Sequence, residues 1–416
     1  MNMKRLFVLV LHLMLMLSPL FAQQETPAWL KKFDALDAQI NQFYDQQDWK
    51  HVVLYLDKQQ KLFYAQPVAE REQFYGDAEL EPKFYYDYAC FAALAGRREK
   101  ALQAFEVYTR CVEAKRVELN LQYINADTDL NALREDPRFV ACMARITEYG
   151  DYVQKLKKAS PYREGTAPKE GGFRYMAPND SDLVFLRQHY KLDSIAGSGD
   201  ELSKIKNLLS WVHNIVPHDG SSANPQERNA HAMIELCRKE NRGVNCRMMA
   251  QILAEVYLSM GFKARFVTCL PRDYVSDCHV INAVYSCTLD KWVWVDPTFE
   301  AYVTDEHGTM LSIAEVRARL RSGEELRLNE DANWNHRSKQ TKEYYLDSYM
   351  AKNLYYLTCM EESRYNAEMW EEGRTYRYYA LMPSEELDLE SDSVGTSEIR
   401  TADEAWFWQS PYESMK

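Results

Sequence analysis

Cys246, His279 and Asp296 are the residues of this chain whose types and order could carry out nucleophilic chemistry. A cysteine attacks as the thiolate, a histidine can take the thiol proton, and a carboxylate can fix the imidazole tautomer and support its positive charge. We therefore predict a triad with Cys246 as nucleophile, His279 as base and Asp296 as orienting acid. Such a triad forms an acyl-enzyme by attacking an amide carbonyl.

Cys246 is predicted to open a helix. The apolar residues that follow it recur at helical spacing, at Met249, Ile252, Leu253, Val256, Tyr257 and Met260, and Gly261 then supplies a stop. The N–H groups of a first helical turn lack intrahelical partners, and the helix dipole favours negative charge there. Both effects stabilise a thiolate and the oxyanion that its attack creates. The alternative is a small, buried, unreactive side chain.

His279 and Asp296 lie in two segments that alternate like strands, residues 278–287 and 291–296. A two-residue turn at Leu289-Asp290 would pair them as a hairpin and place both side chains on one face. Diagonal neighbours across such a pair are roughly 7–8 Å apart at the backbone, within side-chain reach. The hairpin therefore predicts a His–Asp contact. Taken singly, a core histidine and a turn-capping aspartate are the alternatives.

Three stretches together resemble the transglutaminase-like superfamily: "GVNCRMMAQILAEVYLSMGFKARFV", "DCHVINAVY" and "KWVWVDPTF". The resemblance covers residues 180–300 and keeps the family order of Cys, His and Asp. It implies an α+β, papain-like fold in which the helix carrying the cysteine packs on an antiparallel sheet. Members include crosslinkers, cysteine proteases, amidases and peptide deglycosylases, which share a thiolate mechanism.

The family usually supplies a second oxyanion donor from upstream of the nucleophile. The segment "SWVHNIVPHDG" offers Trp211 and His218 for this support. Core packing is the alternative for Trp211, and solvent exposure is the alternative for His218. No Cys-x-x-Cys spacing and no calcium loop occurs in the sequence, so we expect no metal site, and the chemistry needs no cofactor.

The sequence predicts an ordered series of segments. They are a signal peptide at 1–22, an all-α, tetratricopeptide-like region at 27–155, a linker at 156–180, and a transglutaminase-like domain at 181–416 with its core at 181–300. The tetratricopeptide resemblance rests on residues 85–108 and 127–143, and a generic helical bundle is the alternative. Near the C-terminus we expect a helix at 313–326, strands at 353–362 and 374–383, a mobile acidic tail at 384–404 and an anchored aromatic end at 405–412.

The N-terminal residues and the net charge limit where the protein can be located and which partners it can bind. Lys4 and Arg5 precede an apolar run from Leu6 to Leu17, and Ala22 follows, which is the order of a secretion signal. The run is shorter than the roughly 20 residues that span a bilayer. We therefore expect export to the periplasm or outside the cell without stable membrane insertion; an uncleaved anchor is the alternative. A net charge of −12 argues against a nucleic-acid partner.

Two hypotheses from different classes follow. The first is an exported cysteine-dependent peptidase or amidase that acts on peptides or proteins, including cell-wall peptide, with protein crosslinking as the runner-up within enzymes. The second is a non-catalytic scaffold whose helical region holds a protein partner. The intact triad favours the enzyme. Nine cysteines leave at least one unpaired within the chain, and the disulfide pattern stays open.

Overall fold

The computed structural model describes residues 27–74, 80–115, 117, 119–168, 171–272, 278–387 and 397–412. The chain divides into two compact units, residues 1–150 and 151–416. The predicted signal peptide, residues 1–22, lies outside the described residues. Within the described ranges, no helix combines the length and the apolar character needed to cross a membrane.

The first unit is built of α-helices, as the sequence predicts. They are α1 (Ala28–Asp45), α2 (Trp49–Tyr64), α3 (Val68–Phe74), α4 (Leu80–Leu94), α5 (Arg98–Lys115), α6 (Leu121–Ala126) and α7 (Pro137–Gly150), with a 3₁₀ turn at Thr128–Leu133. Gly96 joins α4 to α5 at a φ of +70°, a conformation that glycine adopts without steric cost. Ala89, Ala92 and Ala101 are fully buried between helices. The all-α prediction is confirmed, and the likeness to tetratricopeptide repeats stays a prediction.

The second unit mixes helices and strands. Its helices are α8 (Tyr152–Lys158), α9 (Ser181–His189), α10 (Leu192–Ala196), α11 (Glu201–Ile215), α12 (Ala230–Glu240), α13 (Cys246–Ser259), α14 (Ile313–Ser322), α15 (Lys342–Tyr344), a π-helix at Tyr345–Met350, α16 (Ala351–Asn353) and α17 (Glu404–Phe407), with a 3₁₀ turn at Ser384–Glu386. Its strands are β1 (Arg174–Tyr175), β2 (Ala264–Leu270), β3 (His279–Ser286), β4 (Lys291–Val295), β5 (Val303–Thr304), β6 (Arg327–Leu328), β7 (Asn333–Trp334), β8 (Ser338–Lys339), β9 (Tyr356–Met360), β10 (Glu362–Ser363), β11 (Arg377–Leu381) and β12 (Ser397–Thr401).

A six-stranded sheet in the order β12-β11-β9-β2-β3-β4 forms the centre of this unit. Its neighbours are antiparallel except for the parallel pair β11 and β12. On one face, Val284 and Val293 share a core with Ile252 and Val256 of α13. On the other face, Ile281 and the other apolar residues of alternate positions pack into a separate core. The α+β class, with the cysteine helix against the sheet, is confirmed.

Two buried polar side chains fix α13 in place. Asn282 of β3 donates to the backbone oxygen of Ala250 at 2.8 Å. Glu255 accepts from the backbone N–H of Ala230 at 2.6 Å and from that of Asn366 at 3.1 Å. Burial outweighs these hydrogen bonds and raises the pKa of Glu255 to about 8. The helix is thereby tied to the sheet, to α12 and to a distant loop.

The predicted two-residue turn at Leu289-Asp290 is too short. The structure pairs Ser286 with Lys291, so residues 287–290 form the loop. The Glu201 carboxylate accepts hydrogen bonds from the first two backbone N–H groups of that loop, and these groups therefore do not join the ladder. The register changes by an even number of residues, which preserves the predicted faces of both strands.

The structure places the boundary between the units earlier than the predicted residue 155. Tyr152 and Leu156 of α8 are buried in the core of the second unit, and the predicted linker, residues 156–180, belongs to that unit. Its glycines, prolines and lysines suggested a linker between domains, but β1 pairs in parallel with β10. Phe173 packs against the same core. Long-range pairing thus overrides local composition here.

The C-terminal segment is held by the arginine of the "GFKAR" stretch. Arg265 is buried and donates to the backbone oxygen of Phe407 at 2.8 Å. Its guanidinium lies 3.8 Å from the ring centre of Phe173 and 4.1 Å from that of Trp292, which is cation–π geometry. The anchored aromatic end is thus confirmed. The prediction of a mobile tail was wrong for residues 397–401, which form β12.

Candidate active site

Cys246 is the first residue of α13, as predicted. The Asn245 side chain caps the helix by accepting from the backbone N–H of Met248 at 3.1 Å. This cap uses an N–H of the third helical position, and the N–H of Cys246 has no intrahelical acceptor because it belongs to the first turn. The Cys246 side chain is partly exposed and takes part in no disulfide bond. The Cys246 thiol therefore lies at a helix N-terminus with access to solvent.

His279 begins β3, and its imidazole meets Asp296 just beyond the end of β4. Nε2 of His279 lies 2.6 Å from Oδ2 of Asp296, and both side chains are almost wholly buried. The predicted His–Asp contact is therefore present. Because the carboxylate is a hydrogen-bond acceptor, Nε2 carries a proton, and Nδ1 is the nitrogen left to act on the thiol.

Asp296 has two further partners, one of which the sequence analysis missed. The Tyr345 hydroxyl donates to Oδ2 at 2.6 Å, and the backbone N–H of Thr298 donates to Oδ1 at 2.9 Å. Tyr345 lies in the π-helix and is fully buried. Burying a carboxylate without partners is costly, and these donors offset that cost for Asp296 in an apolar core. No local pattern in the sequence links position 345 to position 296.

His218, one of the two residues predicted to support an oxyanion, is hydrogen-bonded to the Cys246 side chain. Its Nδ1 accepts from the indole N–H of Trp334 at 3.0 Å. A neutral imidazole with an acceptor at Nδ1 carries its proton at Nε2, so that nitrogen is a donor. The Asn335 side chain also donates to the backbone oxygen of His218 and accepts from its N–H, both at 2.8 Å. The hairpin of β7 and β8 therefore fixes the backbone and the tautomer of His218.

Trp211, the other predicted oxyanion donor, is placed elsewhere. It is on α11, half-buried, and its ring lies 5.4 Å from the ring of Tyr190, against the core beneath α13. Cys246 packs against a different cluster, which includes Ala250 and Val280. The structure therefore favours the alternative for Trp211, which is core packing.

The electrostatics of the three groups produce a reactive thiol. Burial opposes ionisation of Cys246, but hydrogen bonds from His218 and His279 and the charge of His279 lower the pKa of the thiol to about 6. Burial likewise opposes the charged imidazole, but the Asp296 carboxylate raises the pKa of His279 to about 10. Between these values the pair is a thiolate and an imidazolium. By contrast, burial raises the pKa of the Cys269 thiol well above its usual range.

A close backbone approach joins His218 to the start of α13. His218 and Val244 form a parallel bridge, and the backbone N–H of Val244 donates to the oxygen of Pro217 at 3.0 Å. A Cβ on Gly243 would lie 2.5 Å from that oxygen, inside any allowed contact. Glycine at position 243 therefore lets the segment that carries His218 lie beside the segment that carries Cys246.

A comparison with family models supports a cysteine-type enzyme. Residues 188–297 match the model of the transglutaminase-like superfamily. This segment contains Cys246, His279 and Asp296. The match identifies a transglutaminase-like domain within the second unit and supports a cysteine enzyme in general.

The other comparisons add a weak likeness. A protein from Cytophaga hutchinsonii, described as a candidate cysteine protease, is 21% identical in a solved structure, with a TM-score of 0.23. The alignment covers 28% of this chain and 37% of that one. This TM-score is too low to establish a common fold. A comparison with curated proteins gives no match.

The lowered pKa predicts the pH dependence of Cys246 alkylation. A thiolate reacts and a thiol does not, so the rate should rise with pH through about 6 rather than through the ordinary 9.0. Iodoacetamide labelling between pH 4 and 9, mapped residue by residue by mass, measures this. In His279→Ala the midpoint should move upward. A midpoint near 9 in the parent protein would show that the ion pair does not form.

Gly243→Ala should separate His218 from the thiol. The added methyl group forces the Pro217 backbone away, so the hydrogen bond from His218 weakens and the alkylation midpoint of Cys246 rises by about 1 pH unit. Gly220→Ala is the matched control on the same segment, because its new Cβ would meet only Cε1 of His218, at 3.6 Å, which is an ordinary van der Waals contact that displaces nothing. Equal midpoints in both variants would refute the role given to the close approach.

Proposed function

We propose that this chain is an exported, cysteine-dependent acyl-transfer enzyme that hydrolyses peptide amides. One observation carries the proposal: a partly exposed thiol with a pKa of about 6 is hydrogen-bonded to an imidazole that lies 2.6 Å from a buried carboxylate. These are the nucleophile, the base and the orienting acid that acyl transfer requires.

In the first half-reaction the Cys246 thiolate attacks the carbonyl carbon of the substrate. The resulting oxyanion is held by the backbone N–H of Cys246 and by the Nε2–H of His218. His279 then gives its Nδ1 proton to the leaving amine, and the C–N bond breaks. An amine product leaves, and a thioester remains on Cys246.

In the second half-reaction water resolves the thioester. The neutral His279 takes a proton from the attacking water, and the same two donors hold the second oxyanion. The C–S bond breaks, which releases the carboxylic acid and returns the thiolate. Throughout this cycle Asp296 keeps the imidazole in one tautomer and stabilises its charged form.

The proposed substrate is a peptide or protein outside the cytoplasm, including cell-wall peptide. The signal-like residues 1–22 and the net charge of −12 support an exported enzyme with no nucleic-acid partner. The helical first unit, residues 27–150 within the described ranges, is proposed to bind a protein partner, because stacked antiparallel helices often do so.

Hydrolysis of peptide amides should depend on the thiol. With a library of fluorogenic peptides and a cell-wall muropeptide preparation, the parent chain should release free amine, and Cys246→Ala should lose the activity completely because no thioester can form. Mass spectrometry of a reaction quenched early should show an acyl adduct on Cys246 in the parent chain.

The same assay separates the alternatives. Adding a primary amine such as cadaverine should leave hydrolysis dominant; if amine incorporation replaces acid release, the enzyme is a crosslinker. If Cys246 forms no acyl adduct with any substrate and its alkylation midpoint is ordinary, the chain is a scaffold and the proposal fails.

His218→Ala should lower kcat by about 10²–10³ with a smaller change in KM, because a donor to the oxyanion is lost. Steady-state kinetics with the best peptide substrate measures both constants. His307→Ala is the matched control, since that side chain is 79% exposed and its ion pair is with Glu306 rather than with a residue of the triad. A loss confined to KM would instead assign His218 to substrate binding.

A further inference from the structure

A second group of potential ligands lies apart from the triad, where α9 meets α12. The side chains of His189, His231 and Glu235 place their ligand atoms within 4.8 Å of one another. His189 is the last residue of α9, and His231 and Glu235 are one turn apart on α12. Residues four apart on a helix project from the same face. Two imidazoles and one carboxylate thus converge from two elements.

The surrounding contacts orient two of these side chains. The Tyr190 hydroxyl lies 3.0 Å from Nδ1 of His231 and 3.3 Å from Oε1 of Glu235. Arg238 also donates to Oε1, at 2.8 Å. Oε2 of Glu235 therefore accepts no hydrogen bond from the described residues. Outer hydrogen bonds of this kind fix the ring of a metal-binding histidine and leave its second nitrogen to the ion.

We propose that His189, His231 and Glu235 form a zinc site. Two imidazoles and a carboxylate suit a borderline divalent ion such as Zn²⁺ and are a poor match for Mg²⁺ or Ca²⁺, which prefer oxygen ligands. Tetrahedral zinc at 2.0–2.2 Å needs ligand atoms about 3.3 Å apart. His189 is exposed, so it can close the remaining distance by rotation. Water completes the coordination.

Bound zinc would link α9 to α12 through His189 and His231, which are 42 positions apart in the sequence. The sequence analysis expected no metal site because the chain has no Cys-x-x-Cys spacing. That reasoning does not apply to this cluster, which contains no cysteine. The expected consequence is a more stable second unit, because an ion that binds the folded state raises the melting temperature. The site takes no part in the acyl transfer proposed for Cys246.

Zinc titration of the Cys246→Ala chain tests the site without interference from the catalytic thiol. Isothermal titration should show zinc binding, and zinc should raise the melting temperature by about 3 °C. His231→Ala and Glu235→Gln should each bind one equivalent fewer and lose that rise in melting temperature. Glu240→Gln is the matched control, since it neutralises an exposed carboxylate on the same helix that is no part of the cluster. It should keep the equivalent and the rise in melting temperature.

The difference in bound zinc between the Cys246→Ala chain and each ligand variant reports on this cluster alone. Cys90, Asp127 and Asp129 in the first unit could also take up zinc, but that uptake would not change with His231 or Glu235. Equal stoichiometry and equal melting shifts in the parent and both ligand variants would overturn the zinc site. Because the readouts are binding and unfolding of a chain without the nucleophile, the result is independent of the proposed hydrolysis.

Discussion

The buried carboxylate of Asp296 constrains the rest of the second unit. It has no exposed surface, so its charge must be satisfied within the protein. His279, Tyr345 and the backbone N–H of Thr298 satisfy it. The same charge raises the pKa of His279 against the effect of burial, and the resulting imidazolium stabilises the thiolate of Cys246. The ionisation of a partly exposed thiol thus depends on hydrogen bonds formed in the core.

A second set of contacts positions His218, which also lowers the pKa of the Cys246 thiol. Gly243 allows the backbone of Pro217 to approach, Asn335 holds His218 by two hydrogen bonds, and Trp334 selects its tautomer. These parts come from three separate regions of the chain. A change in any of these contacts would move the His218 side chain, whose hydrogen bond lowers the pKa of the thiol. The two sets of contacts converge on the sulfur atom of Cys246.

Predictions from local sequence were wrong where a residue distant in the chain changed the local structure. The turn after β3 is longer than predicted because Glu201, from α11, takes up its N–H groups. The glycine- and proline-rich stretch read as a linker is part of the second unit, since β1 finds a partner in β10. Trp211 matched the place of an oxyanion donor, yet its ring packs on Tyr190. Composition and spacing describe a segment, and they do not contain its long-range contacts.

The sequence alone determined the order and type of the elements around the triad. Helical spacing placed Cys246 at a helix start, and strand alternation put His279 and Asp296 on one face, because both follow from the fixed periods of the backbone. Tertiary structure alone decided the supports. Tyr345, Trp334 and Asn335 reach the site from outside the recognisable stretch, and His189 meets His231 through packing of α9 on α12. Such contacts join positions with no periodic relation, so folding in three dimensions was needed to define them.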